Sequence, residues 1–127
     1  MPRNTRQRAA ISRVFSATQP PLTPQEILAT AREEVPQLGI ATVYRTIKTL
    51  TDSGVLRAVE LPGEPPRYEL ANKKHHHHFH CRACGAVFDI NKCITDFDEM
   101  RPQGFLLERH EVILYGLCKT CATLDRG

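Results

Sequence analysis

The stretch KKHHHHFHCRACG, residues 73–85, holds five of the six histidines and two of the five cysteines of this chain. It ends in the pair Cys81-x-x-Cys84, and a second pair with the same spacing, Cys118-x-x-Cys121, follows later. Two such pairs supply four thiolates to one tetrahedral zinc. A redox disulfide in either pair is the alternative, but the surrounding sequence lacks the βαβ pattern of a thioredoxin-like site. The stretch therefore predicts a structural zinc site that organises the C-terminal half.

The histidine run predicts further metal ligands. Side chains alternate between the two faces of an extended segment, so His75 and His77 share one face while His76, His78 and His80 share the other. Each face then offers an H-x-H pair to a separate metal site. The residues available to complete these sites are Glu69, Asp89, Asp96, Glu108, His110 and Glu111. Imidazole with carboxylate suits zinc, iron, manganese, nickel and cobalt alike, so these ligand types do not select the metal.

Two other interpretations of this region stay open. A histidine-rich loop that is merely solvated also binds metals adventitiously. Cys93 is the thiol left outside the two pairs, and lone cysteines are usually small buried apolar side chains. Its proximity to the histidines in sequence makes it a candidate extra ligand.

The N-terminal half has the pattern of three helices followed by a hairpin. An apolar stripe predicts a first helix over about residues 6–17. A cap at Thr23 predicts a second helix that starts at Pro24. The segment GIATVYRTIKTLTDSGVL predicts a third, which ends at Gly54. The strand-like segments VLRAVEL and RYEL flank the turn-rich PGEPP and predict a hairpin. This order is typical of a winged helix-turn-helix.

A winged helix-turn-helix places its third helix in the major groove of DNA. The polar or outward residues of that helix are Thr42, Tyr44, Arg45 and Lys48, and Arg8 in the basic N-terminal segment suits a phosphate contact. Residues 1–57 carry eight Lys/Arg against four Asp/Glu, a net charge of +4, whereas the remainder carries nine against ten, a net charge of −1. Small three-helix units also bind proteins, which is the alternative. The basic N-terminal cluster suits a phosphate backbone, but charge alone favours the alternative of a solvated helix face. The order of three helices and a hairpin is what favours DNA binding.

The C-terminal half predicts a small sheet. The segments AVFDI and FLLERHEVILYG have strand composition, and TDFDEM predicts one or two helical turns. So small a sheet exposes edges and apolar surface, so we expect it to pair with a second copy of the chain. No apolar run approaches the ~20 residues that cross a bilayer, and MPRNTRQRAA lacks the apolar stretch of a secretory signal. The sequence thus predicts an α+β protein located in the cytoplasm.

The helix GIATVYRTIKTLTDSGVL, the run HHHHFHCRACG and the closing HEVILYGLCKTC, in that order, resemble the ferric uptake regulator family of metal-responsive repressors. The resemblance covers essentially the whole chain. It implies a homodimer with a winged-helix DNA-binding domain at residues 1–68, a hinge at 69–78 and a small α/β metal-binding dimerisation domain at 79–127. It also implies that the partner is a double-stranded DNA operator and that there is no membrane, no small-molecule substrate and no enzymatic activity.

The resemblance also implies site residues. Structural Zn²⁺ is assigned to Cys81, Cys84, Cys118 and Cys121. A regulatory site for Zn²⁺ or Fe²⁺ is assigned to His75, His77, Asp96 and His110. A hinge site is assigned to Glu69, His76, His78 and Asp89. The family's DNA contacts are assigned to Tyr44, Arg45 and Arg8.

This chain departs from the family pattern at two positions. Many members have a histidine just before the second helix, where this chain has Pro21. That removes the fifth hinge-site ligand and weakens a peroxide-sensing role, which depends on iron held by such histidines. Cys93 near the sensor favours zinc over iron.

The predicted function is therefore metal-dependent repression that controls zinc uptake. An iron-responsive or peroxide-responsive regulator of the same family is the first alternative. A metal-storage protein or a zinc hydrolase is the alternative outside it, although the hydrolase would need an open metal position, a general base and a substrate cleft.

Overall fold

The computed structural model describes residues 3–93 and 96–126, and the chain divides into two compact units, residues 1–73 and 74–127. The mixture of helices and small sheets confirms the α+β class. The division falls inside the segment proposed as the hinge, residues 69–78. The domain limits 1–68 and 79–127 stay a prediction.

The first unit contains three helices and then two strands, as the sequence predicts. These are α1 (Arg3–Ser12), α2 (Pro24–Ala31), α3 (Ile40–Asp52), β1 (Leu56–Val59) and β2 (Arg67–Leu70). The two strands pair antiparallel, with Leu56 opposite Leu70 and Val59 opposite Arg67. Leu22 adds a single antiparallel bridge to Tyr68 in β2. The hairpin is the wing of the predicted winged helix.

Local hydrogen bonds fix where the helices begin and end. Thr23 Oγ1 accepts the N–H of Glu26 at 3.2 Å, and Glu26 Oε1 accepts the N–H of Thr23 at 2.9 Å, so the predicted capping box is confirmed. The same Oε1 receives Arg67 Nη1 at 3.0 Å, which ties β2 to the start of α2. Gly54 ends α3 with a φ of +82°, and the N–H of Val55 returns to the carbonyl of Leu50 at 2.9 Å.

The first helix is shorter than predicted. It ends at Ser12, and the N–H groups of Val14 and Phe15 bond to carbonyls three residues back at 3.1 and 3.3 Å. These tighter turns carry Phe15 into the core, so the apolar stripe is buried without a longer helix. Side chains with no exposed surface, Ile11, Ile27, Leu38 and Val43, form the centre of this core. The burial of Val43 leaves the opposite face of α3 to solvent.

The second unit is built on a three-stranded sheet. Its elements are β3 (His77–Cys81), β4 (Val87–Ile90), a 3-10 helix (Phe97–Met100), β5 (Ile113–Gly116) and α4 (Lys119–Arg126). The strand order is β4-β3-β5, with β3 antiparallel to β4 and parallel to β5. The starts of β3 and β5 therefore meet the end of β4 at one end of the sheet. The ends of β3 and β5 meet the start of β4 at the other.

Two predictions for this unit need correction. The segment FLLERHEVILYG forms a strand only at Ile113–Gly116, which pairs with His78–Cys81 of β3. The N–H of Val112, directly before this strand, bonds to the side-chain Nδ1 of His77. The helix α4, which begins directly after Cys118, was not predicted. The turn predicted in TDFDEM is confirmed as the 3-10 helix, although Thr95 lies outside the described residues.

The second unit has a very small core. Within its described part, the buried side chains are His76, His77, Cys81 and Val87. Burial of so few apolar side chains contributes little to the free energy of unfolding. The second unit therefore depends on other stabilising interactions. Across the described residues of both units, the helices are too short and too polar to span a membrane.

Candidate metal centres and nucleic-acid interface

Four thiols meet at one end of the three-stranded sheet. Cys81 is the last residue of β3, and Cys84 lies in the turn that leads to β4. Cys118 directly precedes α4, and Cys121 lies in its first turn. The four sulfurs are within 4.8 Å of one another, and Cys84 Sγ is 3.9 Å from Cys118 Sγ. Sulfurs bound at about 2.3 Å to one tetrahedral zinc are about 3.8 Å apart, so this arrangement fits a zinc ion.

The electrostatics of this cluster also suit a cation. The N–H of Cys84 donates to Cys81 Sγ at 3.5 Å, and this bond with that from the backbone of Cys118 lowers the pKa of Cys81 to about 5. Hydrogen bonding with the side chains of Cys118 and Cys81 raises the pKa of Cys121 to about 12. The thiolate form of Cys81 is thus favoured while Cys121 resists ionisation. A divalent cation allows all four to ionise. None of the five cysteines, all of which lie among the described residues, forms a disulfide.

Three histidines and one cysteine meet at the opposite end of the same sheet. His77 begins β3 and His75 precedes it by two residues, Cys93 follows the end of β4, and His110 precedes β5. The ligand atoms of these four residues lie within 4.8 Å of one another. His110 Nε2 is 3.1 Å from His75 Nε2 and 3.4 Å from Cys93 Sγ. The sheet topology therefore assembles a second candidate metal centre from residues that are distant in sequence.

His77 is the buried member of this group, with 4% of its surface exposed. Burial lowers its pKa, and the neighbouring His75 and His110 lower it further, so the ring is neutral near pH 7 and retains a lone pair for a metal. Its Nδ1 accepts the N–H of Val112 at 3.2 Å. Its Nε2 is buried and has no hydrogen-bond partner among the residues that the structure describes. A metal bond at Nε2, made once the ring proton has moved to Nδ1, would remove the cost of that unpaired atom.

Two contacts at this centre were not found from the sequence. The ring of Phe97 stacks on that of His110, with centroids 4.3 Å apart and planes inclined by 28°. The second contact is the Val112 bond to His77. Phe97 belongs to no motif, and Val112 lies in the segment HEVILYGLCKTC but has no metal-ligating side chain, so no sequence pattern marks these two contacts.

Asp96, the fourth ligand implied by the resemblance, lies outside this group. Its carboxylate accepts the N–H of Asp98 at 3.0 Å and caps the 3-10 helix. Cys93 takes the place beside the histidines instead. Coordination by Asp96 stays a prediction and would require its side chain to leave the cap.

The other face of the histidine run meets Asp89. The rings of His76 and His78 are 4.8 Å apart, and Nε2 of each lies 3.8 Å from Asp89 Oδ1. His76 Nδ1 donates to the carbonyl of Lys74 at 2.7 Å, which leaves the Nε2 lone pair directed away from that bond. Such a backbone bond orients a metal-binding histidine in many proteins. The alternation of faces thus separates two groups of candidate ligands.

Glu69, also assigned to the hinge site, belongs to the first unit. Its side chain is 1% exposed and pairs with Arg57 Nη2 at 2.7 Å and with Lys73 Nζ at 3.5 Å. These two cations stabilise the buried carboxylate. Its coordination of a metal stays a prediction.

The sequence model of the ferric uptake regulator family matches residues 2–115. The chain belongs to the ferric uptake regulator family. FurA of Mycobacterium tuberculosis, a transcriptional regulator, is 33% identical over 97% of this chain and 85% of FurA. This member of the ferric uptake regulator family is accordingly a metal-responsive transcriptional regulator.

Solved structures of family members have the same fold. The ferric uptake regulator of Helicobacter pylori, which has three functional metal-binding sites, is 26% identical with a TM-score of 0.69 over 91% of this chain and 79% of that one. FurB of M. tuberculosis, a zinc uptake regulator, is 28% identical with a TM-score of 0.53 over 94% of this chain and 95% of FurB. Regulators of this family are dimeric DNA-binding proteins.

In this family member, the predicted DNA-contacting residues lie on the solvent side of α3. The Tyr44 side chain is 50% exposed, and Arg45 Nη2 donates to Thr42 Oγ1 at 3.1 Å. Lys48 Nζ pairs with Asp52 at 3.0 Å, so part of its charge is already compensated. Arg8 is exposed on α1. Thr42, Arg45 and Lys48 are spaced three residues apart and therefore form a continuous polar strip along the helix. Their contact with DNA stays a prediction.

Proposed function

We propose that this chain is a cytoplasmic homodimeric repressor that binds a double-stranded DNA operator when its regulatory sites hold metal, and that it controls zinc uptake. The observation that carries the proposal is the presence of three separate ligand groups around one three-stranded sheet. The three functional metal sites of the H. pylori relative support it. The zinc-uptake role of FurB supports zinc as the regulated metal.

The two ends of the sheet suit different tasks. Cys81 is buried and its site offers four thiols, which complete a tetrahedral shell and leave no open position. An all-thiolate site of this kind is typical of structural zinc. His75 and Cys93 are exposed, so ions have access to the opposite end and can exchange there. The exchanging site is the one that senses the metal concentration.

The second unit also supports association with a second copy of the chain. β5 lies at the edge of the sheet, and Leu114 and Tyr115 on this strand are 49% and 57% exposed. Phe105 and Leu106, in the segment before β5, are 64% and 84% exposed. An unpaired edge with large apolar side chains favours burial against an identical surface.

The histidine run provides a route by which metal binding changes the affinity for DNA. Residues 75–78 belong both to the candidate metal sites and to the proposed hinge at 69–78. A bound metal supplies a cross-link between the start of β3 and the segments that hold Cys93 and His110. The cross-link thereby restricts the hinge to fewer conformations. DNA binding to the metal-loaded protein then costs less conformational entropy. An allosteric coupling of about 1–3 kcal/mol changes DNA affinity about 5- to 150-fold.

The test uses protein that keeps the four-cysteine zinc but has been stripped of labile metal. Zinc, or ferrous iron under anaerobic conditions, is titrated at buffered concentrations while fluorescence anisotropy reports binding to a palindromic AT-rich duplex. We expect zinc to raise the DNA affinity about 5- to 150-fold. Zinc binding that leaves DNA affinity unchanged would contradict the proposal. A response to iron alone would make the protein an iron-type regulator.

Arg45→Ala tests the assigned DNA interface. Because Arg45 is exposed on α3, its loss should weaken operator binding while metal content stays unchanged. Arg82→Ala is the matched control, since Arg82 is an exposed arginine of the second unit. If Arg45→Ala binds the operator with the same affinity as Arg82→Ala and the wild type, Arg45 is excluded from the interface.

A further inference from the structure

Cys93 occupies a position where a metal ligand fits. Its Sγ is 3.4 Å from His110 Nε2, which is itself 3.1 Å from His75 Nε2. In a tetrahedral zinc site with bonds of about 2.0–2.1 Å to nitrogen and 2.3 Å to sulfur, N···N separations are about 3.3 Å and N···S separations about 3.6 Å. The observed distances agree with both separations to within a few tenths of an ångström.

His77 gives an independent reason to place a cation in this group. The side chain is almost fully buried, and its Nε2 has no hydrogen-bond partner in the described part of the chain. Its ring centroid lies 4.6 Å from that of His75 and 5.1 Å from that of His110. Three imidazoles that converge so closely around one thiol are unfavourable without a cation to bind their lone pairs.

We propose that Cys93 is the fourth ligand of this centre, in place of a carboxylate from Asp96. The site then offers three imidazole nitrogens and one thiolate sulfur from His75, His77, His110 and Cys93. The carboxylate of Asp96 is already engaged as the cap of the 3-10 helix. The regulatory consequence of this ligand set rests on the proposed function above.

The thiolate determines which metal the site prefers. Thiolate ligands favour zinc and other soft or borderline divalent ions, whereas carboxylates favour harder ions such as manganese. Replacing oxygen by sulfur at one of four positions therefore shifts selectivity toward zinc and away from ferrous iron. Cys93 is in this sense the specificity-determining residue of the centre.

Cobalt(II) provides a direct test of the ligand set. Protein that retains the four-cysteine zinc and lacks other metal is titrated with Co²⁺ without oxygen, and absorption spectra are recorded. We expect thiolate-to-cobalt charge transfer in the near ultraviolet, together with the intense visible bands of tetrahedral cobalt. Cys93→Ser should lose the charge transfer, whereas Asp96→Asn should keep it. A spectrum that is unchanged in Cys93→Ser, or a charge transfer lost in Asp96→Asn, would overturn the proposal.

Metal affinities test the selectivity. Competition with a chelator should show that Cys93→Ser binds zinc more than about 100-fold more weakly, beyond the 10- to 100-fold typical for an outer-shell partner. Cys93→Asp should bind ferrous iron more tightly than the wild type does, and its ratio of zinc affinity to iron affinity should be lower. An unchanged ratio in Cys93→Asp would contradict the assignment. One retained zinc per chain in each variant verifies that the second unit stays folded.

The outcome separates this inference from the proposed function. Charge transfer that depends on Cys93, without any metal effect on DNA binding, would support the ligand set and refute the regulatory role. Metal-dependent DNA binding in Cys93→Ser with wild-type zinc affinity would support the regulator and refute Cys93 as a ligand.

Discussion

Cys118→Ser should unfold the second unit and leave the first unit folded. The described part of the second unit buries four side chains, and two of those are histidines. Its apolar burial is therefore too small to hold the sheet without the zinc. The first unit has a separate core around Ile11 and Ile27 and does not depend on this metal.

The size of the effect follows from the cross-link that the zinc makes. Between Cys84 and Cys118 lie 33 residues, and closing a loop of that length removes chain entropy worth about 4 kcal/mol from the unfolded state. Apparent binding free energies of structural zinc reach about 10–16 kcal/mol. Either figure is comparable with the about 5–15 kcal/mol by which whole domains are stable. Loss of one thiolate thus removes most of what keeps the second unit folded.

Hydrogen exchange measured by mass spectrometry provides the assay. Peptides from β3, β4 and β5 should lose protection in Cys118→Ser, while peptides from α2 and α3 keep theirs. Cys93→Ser is the matched control, because it replaces a thiol outside the four-cysteine site. With labile metal removed from the wild type and both variants, so that the centre beside Cys93 is empty in each, Cys93→Ser should keep both sets protected. A zinc-free Cys118→Ser protein with slow exchange in β3 would refute the reasoning.

Two smaller predictions concern single hydrogen bonds. The N–H of Val112 loses its hydrogen bond to His77 Nδ1 whichever ring nitrogen binds the metal. If Nδ1 is the ligand, the metal takes the lone pair that this N–H uses. If Nε2 is the ligand, the ring proton moves to Nδ1, which can then no longer accept. The Val112 amide resonance should therefore shift when the centre fills, and an unshifted resonance would exclude His77 as a ligand. Thr23→Ala should lower the stability of the first unit by about 1 kcal/mol, through loss of the cap on α2. Thermal unfolding followed by circular dichroism measures that loss, and an unchanged midpoint would show that the cap contributes nothing.

The sequence was sufficient wherever a feature depends on neighbouring residues. The capping box at Thr23 and the left-handed end of α3 at Gly54 depend on the local backbone, and both are confirmed. The alternation of the histidine run is likewise a property of any extended segment. The spacing of the cysteine pairs indicated which four sulfurs would cluster, because four thiolates from two such turns complete one tetrahedral shell.

Tertiary structure decided the features that depend on long-range register. The parallel pairing with residues 78–81 of β3 defines β5 as Ile113–Gly116, and the N–H of Val112 before it bonds to the His77 side chain. The same pairing brings His110 beside His75, and the antiparallel pairing with β4 carries Cys93 to the same end of the sheet while Asp96 turns into a helix cap. Cys93 and His110 lie 18 and 35 positions after His75 in the sequence. They meet it only because the start of β3, the end of β4 and the start of β5 lie at the same end of the sheet. The sequence alone thus predicted metal ligands among the histidines and cysteines, and the sheet decided which cysteine lies beside which histidines.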